Sequence, residues 1–210
     1  MGLVNLADEF ERTTARNFST EMEKEGLSRR QKVAIEDAKT ALELSLIAPL
    51  EEATSVTFRH LAMLAQTKSQ DEDVWASLGI LGTVPQTMID RLKRMRTWVQ
   101  SRHFPDELRI TILEEPHLEA INQLDDDNIA ILPHLIASLR TCEWDAASIQ
   151  TTISSTAKGI ETSPRHAYRA LYLCIMGVER GPRLPSILAE LDQTSIVNLL
   201  SACLEAKKES

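Results

Sequence analysis

The chain has 210 residues, 43% of them hydrophobic and 26% charged, with 31 acidic residues against 23 basic ones. A net charge of −8 excludes coating of nucleic acid through bulk charge and leaves room only for a local basic site on an acidic body. Seven glycines, eight prolines and 4% aromatic residues exclude collagen-like and low-complexity chains and favour helix over sheet.

No window approaches the roughly 18–20 apolar residues that a membrane span needs. The opening residues, Met1 to Glu9, turn acidic too early for a signal peptide, and Leu6 stands where a myristoylation start wants Ser or Thr. Cys142, Cys174 and Cys203 are odd in number and far apart, so they are expected as reduced, buried thiols of a cytoplasmic protein.

Helical periodicity begins at once. Leu3, Leu6, Ala7, Phe10, Thr14 and Phe18 recur at helical spacing, and Gly26 stops the run. Ser28 caps a second helix carrying Val33, Ile35, Ala38, Leu42, Leu44, Leu46 and Ile47, which Pro49 ends. Phe58, Leu61, Ala62, Leu64 and Ala65 form a third apolar face. Asp71, Glu72 and Asp73 open a fourth helix beside its positive end, with Val74, Trp75, Leu78 and Leu81 on its apolar side. A fifth runs from Pro85 to Arg102 on Met88, Ile89, Leu92, Met95, Trp98 and Val99, with Trp98 expected as a core anchor.

His103-Phe104-Pro105 is the best internal break and sets the expected domains at 1–105 and 106–210. The alternation Leu108, Ile110, Ile112 reads as a lone extended strand. Asp125, Asp126 and Asp127 open a helix that starts late or kinks to accommodate Pro133. Asp145 caps a helix that Gly159 closes. Ser163-Pro164 starts another, ended by Gly177. Pro182 to Pro185 opens a short helix, and the last covers 194–206 with Thr194 as its cap.

No constellation for catalysis is visible. The five histidines stand apart from one another and from the cysteines, and no zinc, calcium, Walker A, dinucleotide or nucleophile-elbow spacing occurs. Charge, however, is uneven. Residues 91–109 hold Arg91, Lys93, Arg94, Arg96, Arg102 and Arg109 against Asp106 and Glu107, and residues 165–183 hold Arg165, Arg169, Arg180 and Arg183 against Glu179. Arginines beside Tyr168 and Tyr172 are the combination that grips single-stranded RNA, guanidinium on phosphate and ring on base.

The string from His166 through Gly181-Pro182-Arg183-Leu184 to Leu191 resembles the end of class I lysyl-tRNA synthetases and, more loosely, of glutamyl-tRNA synthetases. Phe58-Arg59-His60-Leu61, the segment Arg91 to Trp98, and the segment Leu3 to Arg12 resemble other parts of the lysyl family's helical region. The resemblance implies an all-α, multi-helix bundle or cage of two helical subdomains. Residues 1–105 would be a tRNA-contacting or linking subdomain and 106–210 the anticodon-binding one. It implies binding of a tRNA with a lysine anticodon, no membrane, and the synthetase catalytic domain as a further partner.

The family's H-x-G-H-like and K-M-S-K-S-like catalytic signatures do not occur in this sequence. The resemblance therefore implies no enzyme activity or cofactor for this chain alone, with ATP and lysine bound by the absent catalytic domain of a lysine–tRNA ligase. Residue by residue, it points Arg169 at a base edge or phosphate and Tyr172 at a stacked base. Gly181 and Pro182 would let the backbone approach a base on which Leu184 packs, and Arg183 would meet phosphate. Arg165 and Arg180 are candidates by charge and proximity, and Arg94 and Arg96 would follow the tRNA backbone. Tyr168 and Cys174 are expected in the core. The alternative is a truncated paralogue acting as a helical protein-interaction adapter, since fold does not fix function.

Overall fold

The computed structural model describes residues 3–22, 28–45 and 56–209. Among them the chain is all-α, with eleven α-helices and no strand. It falls into two compact units, residues 1–62 and 63–210.

In the first unit α1 (Leu3–Met22) packs on α2 (Arg29–Ser45). Ser28 caps α2 reciprocally with Gln31, each side chain meeting the other residue's backbone N–H. The stops expected at Gly26 and Pro49 lie outside the described residues. Arg59 clasps the Asp8 carboxylate, Nε at 2.9 Å and Nη2 at 2.8 Å from Oδ2, while the backbone N–H of Phe58 donates to Glu11.

The second unit takes in the end of α3 (Phe58–Thr67), α4 (Asp71–Ser77) and α5 (Gln86–Val99). After a 3₁₀ turn at Asp106–Leu108 come α6 (Leu118–Ile121), α7 (Asp126–Thr141), α8 (Ala146–Gly159), α9 (Pro164–Met176), α10 (Leu184–Leu188) and α11 (Gln193–Glu209). Helix α7 packs on α8, α9 and α11, and α9 also packs on α6, α8 and α11. Their shared core includes Leu135, Leu139, Ile149, Ile153, Leu171, Leu173 and Leu200, all fully buried. Each such side chain contributes about 1.5–3 kcal/mol by leaving water. Lys68 ties the α3 end to the α10–α11 connection, its ammonium 2.7 Å from the Glu190 carbonyl and 3.2 Å from its carboxylate.

Several helix ends follow the sequence. Asp145 caps α8 by accepting from the N–H groups of Ala147 and Ser148. Ser163 and Pro164 start α9, and Gly177 ends it with φ 70°, a left-handed conformation that glycine adopts without strain. Three expectations are corrected. Helix α7 begins directly at Asp126, capped by Asp125, and runs through Pro133, which lies on the exposed side. The last helix is capped by Asp192, not Thr194: its carboxylate accepts from the Ser195 N–H at 2.7 Å. The expected strand at 108–112 is an extended segment without a strand partner. Gln66 supplies its pairing instead, donating to the Leu108 carbonyl and accepting from the Ile110 N–H, and Leu113 N–H reaches the Ile175 carbonyl at 2.8 Å.

Candidate nucleic-acid interface

Helix α9 is buried along Ala167, Ala170, Leu171, Leu173, Cys174, Ile175 and Met176. The accessible residues include Pro164 and His166 and a stripe, Arg165, Tyr168, Arg169 and Tyr172, spaced three and four residues apart and so stacked on one face. Tyr168 is half-buried against the core, and Cys174 is fully buried, as expected. Its thiol is pushed up by the hydrogen bond with Cys203 and by burial.

Arg169 has a full set of protein partners. Its Nε and Nη2 donate to Glu179 Oε1 at 3.1 and 2.7 Å, and its Nη1 donates to Asp125 Oδ2 at 3.1 Å and to Asn128 Oδ1 at 2.6 Å. Asn128 is completely buried: its backbone N–H donates to Asp125, its Nδ2 donates to the His166 carbonyl at 3.0 Å, and its Oδ1 also accepts from the Asp125 N–H at 3.3 Å. Arg169 thus joins the start of α7, the body of α9 and the turn after it. The guanidinium is therefore not presented to a base edge as expected; it holds the elements that carry the surface.

The turn between α9 and α10 is built around Tyr172. Its hydroxyl donates to the Pro182 carbonyl at 2.5 Å and the Gly181 carbonyl at 3.2 Å. A Cβ at Gly181 would stand 3.2 Å from Tyr172 Cε1, so the close approach that selects glycine is to this ring. Burial raises the Tyr172 and Tyr168 phenols above their ordinary value. Pro182 is half-buried. Arg183 is exposed and donates from Nη2 to Gln150 Oε1 at 2.6 Å. Leu184, expected to pack on a base, is fully buried in the hydrophobic core and offers a base no surface.

Arg165 and Arg180 are exposed, and among the described residues their side chains make no hydrogen bond or ion pair. The loop 178–181 between them and Arg183 is itself exposed. Arg165 thus stands exposed at the start of α9 and Arg180 in the turn after it, which the Tyr172 ring and hydroxyl fix.

On α5 the same division recurs. Met88, Leu92, Met95 and Val99 are buried. Arg96, expected to follow a nucleic-acid backbone, turns inward instead: its Nη1 donates to the Ala65 and Lys68 carbonyls at 3.3 and 3.0 Å, and its Nη2 lies 2.9 Å from Asp71 Oδ1. It closes the ends of α3 and α4. Arg94, two residues earlier, is exposed. Among the described residues no group of three His, Cys, Asp or Glu side chains could hold a metal ion, and no helix is long and apolar enough to cross a membrane.

The all-helical architecture and the two arginine-bearing surfaces describe a helical module with a local basic site. No family model matches the chain. Individual proteins do. The lysine–tRNA ligase of Thermoplasma volcanium is 28% identical over 208 residues, covering 97% of this chain and 38% of that protein. Those of Picrophilus torridus and Methanopyrus kandleri are 25% and 27% identical, covering 97% and 99% of the chain and 38% of each relative. The resemblance to lysyl-tRNA synthetases therefore extends along nearly the whole chain. The chain spans well under half the length of these relatives.

Proposed function

We propose that this chain is the helical tRNA-binding region of a lysyl-tRNA synthetase, with the α9 stripe and the turn after it on the anticodon side. The whole enzyme would join lysine to its tRNA, with ATP and lysine held by residues outside this chain and no activity from this chain alone. The observation that carries the reading is that Arg165, at the start of α9, and Arg180, in the Tyr172-held turn, are exposed with no side-chain hydrogen bond or ion pair among the described residues, in a chain of net charge −8. An acidic body repels polyanions, so affinity has to come from such local sites. The similarity to lysine–tRNA ligases supports tRNA as the polyanion.

In this reading Arg165, Arg180 and Arg183 contact RNA directly. Arg169 and Tyr172 are positioning residues that fix the turn, and Gly181 and Pro182 form its backbone edge. A mobility-shift titration tests it, with a lysine tRNA beside the same tRNA carrying a changed anticodon. Three to five phosphate contacts give a slope of log K against log salt of roughly −2 to −3.5. The Arg165→Ala/Arg180→Ala variant is expected to bind the lysine tRNA about tenfold or more weakly, the scale of one or two lost contacts. Equal binding of both tRNAs by the wild-type chain, or an unchanged affinity in the folded variant, overturns the reading.

A further inference from the structure

The α5 surface carries a feature that the turn after α9 does not: an aromatic ring set in a groove between unpaired cations. Lys93 and Arg94 are exposed, and among the described residues neither makes an ion pair. With Thr97, Trp98, Ser101 and His103 they line an open groove of about 690 Å³, within the roughly 300–1,000 Å³ that ligand sites occupy. Asp90 stands at one end, where its carboxylate accepts from Gln86.

Trp98 only in part fills the core-anchor role its position on the helix suggests. It is half-buried, and its ring meets the buried Phe104 edge to face, centroids 4.6 Å apart and planes 78° apart. The Arg109 guanidinium sits 5.4 Å from the centre of the same Phe104 ring. The indole is therefore held by a fixed aromatic neighbour while still lining the groove. Arg94 and Trp98 are four residues apart, hence neighbours one helical turn apart on one face, and Lys93 and Thr97 form the adjoining pair. At the far end Arg102 donates from Nε to His103 Nε2 at 3.4 Å, which leaves the imidazole ring beside a further exposed cation.

We propose that this α5 groove is a second contact for single-stranded RNA, in which Lys93 and Arg94 hold backbone phosphates and Trp98 stacks a base. The proposal rests on the reading of the chain as an RNA-binding module and adds to it a site built from residues apart from the turn after α9. An acidic peptide would engage the two cations and make no use of a flat ring beside them. A nucleotide uses both, because its anionic phosphate and its flat base belong to one unit and every base has a stacking face.

The test uses the full chain and a fluorescein-labelled octauridylate, read by anisotropy and by tryptophan emission. Octauridylate is expected to quench tryptophan in the wild-type chain. The Lys93→Ala/Arg94→Ala variant is expected to bind about tenfold or more weakly, with a salt slope shallower by about 1.4, the share of two single-strand phosphates. Trp98→Phe keeps a ring against Phe104 and is expected to lose the quenching while remaining folded by circular dichroism. Unchanged affinity and slope in the double variant, or quenching that survives Trp98→Phe, overturns the proposal. So does an octa-aspartate peptide that displaces octauridylate at equal concentration. Selective tRNA binding that depends on Arg165 and Arg180 but ignores the α5 variants overturns the groove and leaves the anticodon-side reading intact. Octauridylate binding through α5 without preference for a lysine tRNA does the reverse.

Discussion

Residues 91–109 and 165–183 look alike as strings, each a run of arginines on a helix with aromatic residues nearby, yet the structure divides each run in two. In both, one arginine is tied into the fold, while another, Arg94 on α5 and Arg165 on α9, is exposed and makes no ion pair among the described residues. On α5, Arg96 follows buried Met95 and caps the carbonyls of Ala65 and Lys68, while Arg94 faces out. On α9, Arg169 precedes buried Ala170 and holds Asp125, Asn128 and Glu179, while Arg165, one turn earlier, is exposed. A count of positive residues overstates how many are available, because some of them are already engaged by protein groups.

The two regions differ in what their held arginine organises. Arg96 gathers neighbouring helix ends. Arg169 fixes the turn through which α9 reaches α10, so its removal reaches the proposed interface as well as the fold. Arg169→Ala leaves the Glu179 and Asp125 carboxylates without their cation and the buried Asn128 carbonyl oxygen short of a donor. The expected loss is about 1–3 kcal/mol, the scale of charged hydrogen bonds and of a buried polar group left unsatisfied. At roughly 2–4 °C per kcal/mol for a chain of this size, the loss is visible by calorimetry. Arg165→Ala is expected to lie within about 0.5 kcal/mol of the wild type. Equal melting temperatures for the two variants would break the distinction between held and presented arginines.

A finer test isolates the turn from the charge network. Tyr172→Phe keeps the ring that packs against Gly181 and removes only the hydroxyl that donates to Pro182 and Gly181. Its expected cost is about 0.5–1.5 kcal/mol in urea denaturation, that of one net hydrogen bond. If the hydroxyl positions the turn, tRNA affinity falls while the salt slope stays the same, since no phosphate contact is removed. A slope change would assign the hydroxyl to the RNA instead.

Much of this was legible in the sequence where the relevant forces act within one or two turns. The Ser163-Pro164 start, the Gly177 stop and the Asp145 cap are local chemistry, and the structure has all three. So is the helical character of nearly every segment, carried by apolar spacing. What escaped was set by distance along the chain. Asp125 lies 44 residues from Arg169, and no pattern announces that pairing. The alternation at 108–112 has the period of a strand, but its backbone partner is a glutamine side chain 42 to 44 residues away, which periodicity does not reveal. Leu184 was placed by its match to a turn, although an apolar residue at the first position of a short helix has the core as its better neighbour.

The start of α11 shows the same competition at its smallest scale, because Asp192 and Thr194 both carry the chemistry of a cap. The backbone N–H of Ser195, then its hydroxyl, donate to the Asp192 carboxylate and lower its pKa from the ordinary 3.8. A carboxyl whose folded value lies below its unfolded one stabilises the fold above the unfolded value, and that stabilisation is lost as pH falls through the lower, folded value. Asp192→Ala is therefore expected to melt below the wild type at pH 7, with the gap closing in acid as the wild-type carboxylate takes up its proton. Thr194→Ala, at an exposed position with no capping role, is expected to match the wild type at both pH values. Melting curves of the three chains at the two pH values decide it: a gap for Asp192→Ala of the same size in acid would show that the carboxylate charge contributes nothing, and a gap for Thr194→Ala would return the cap to the threonine.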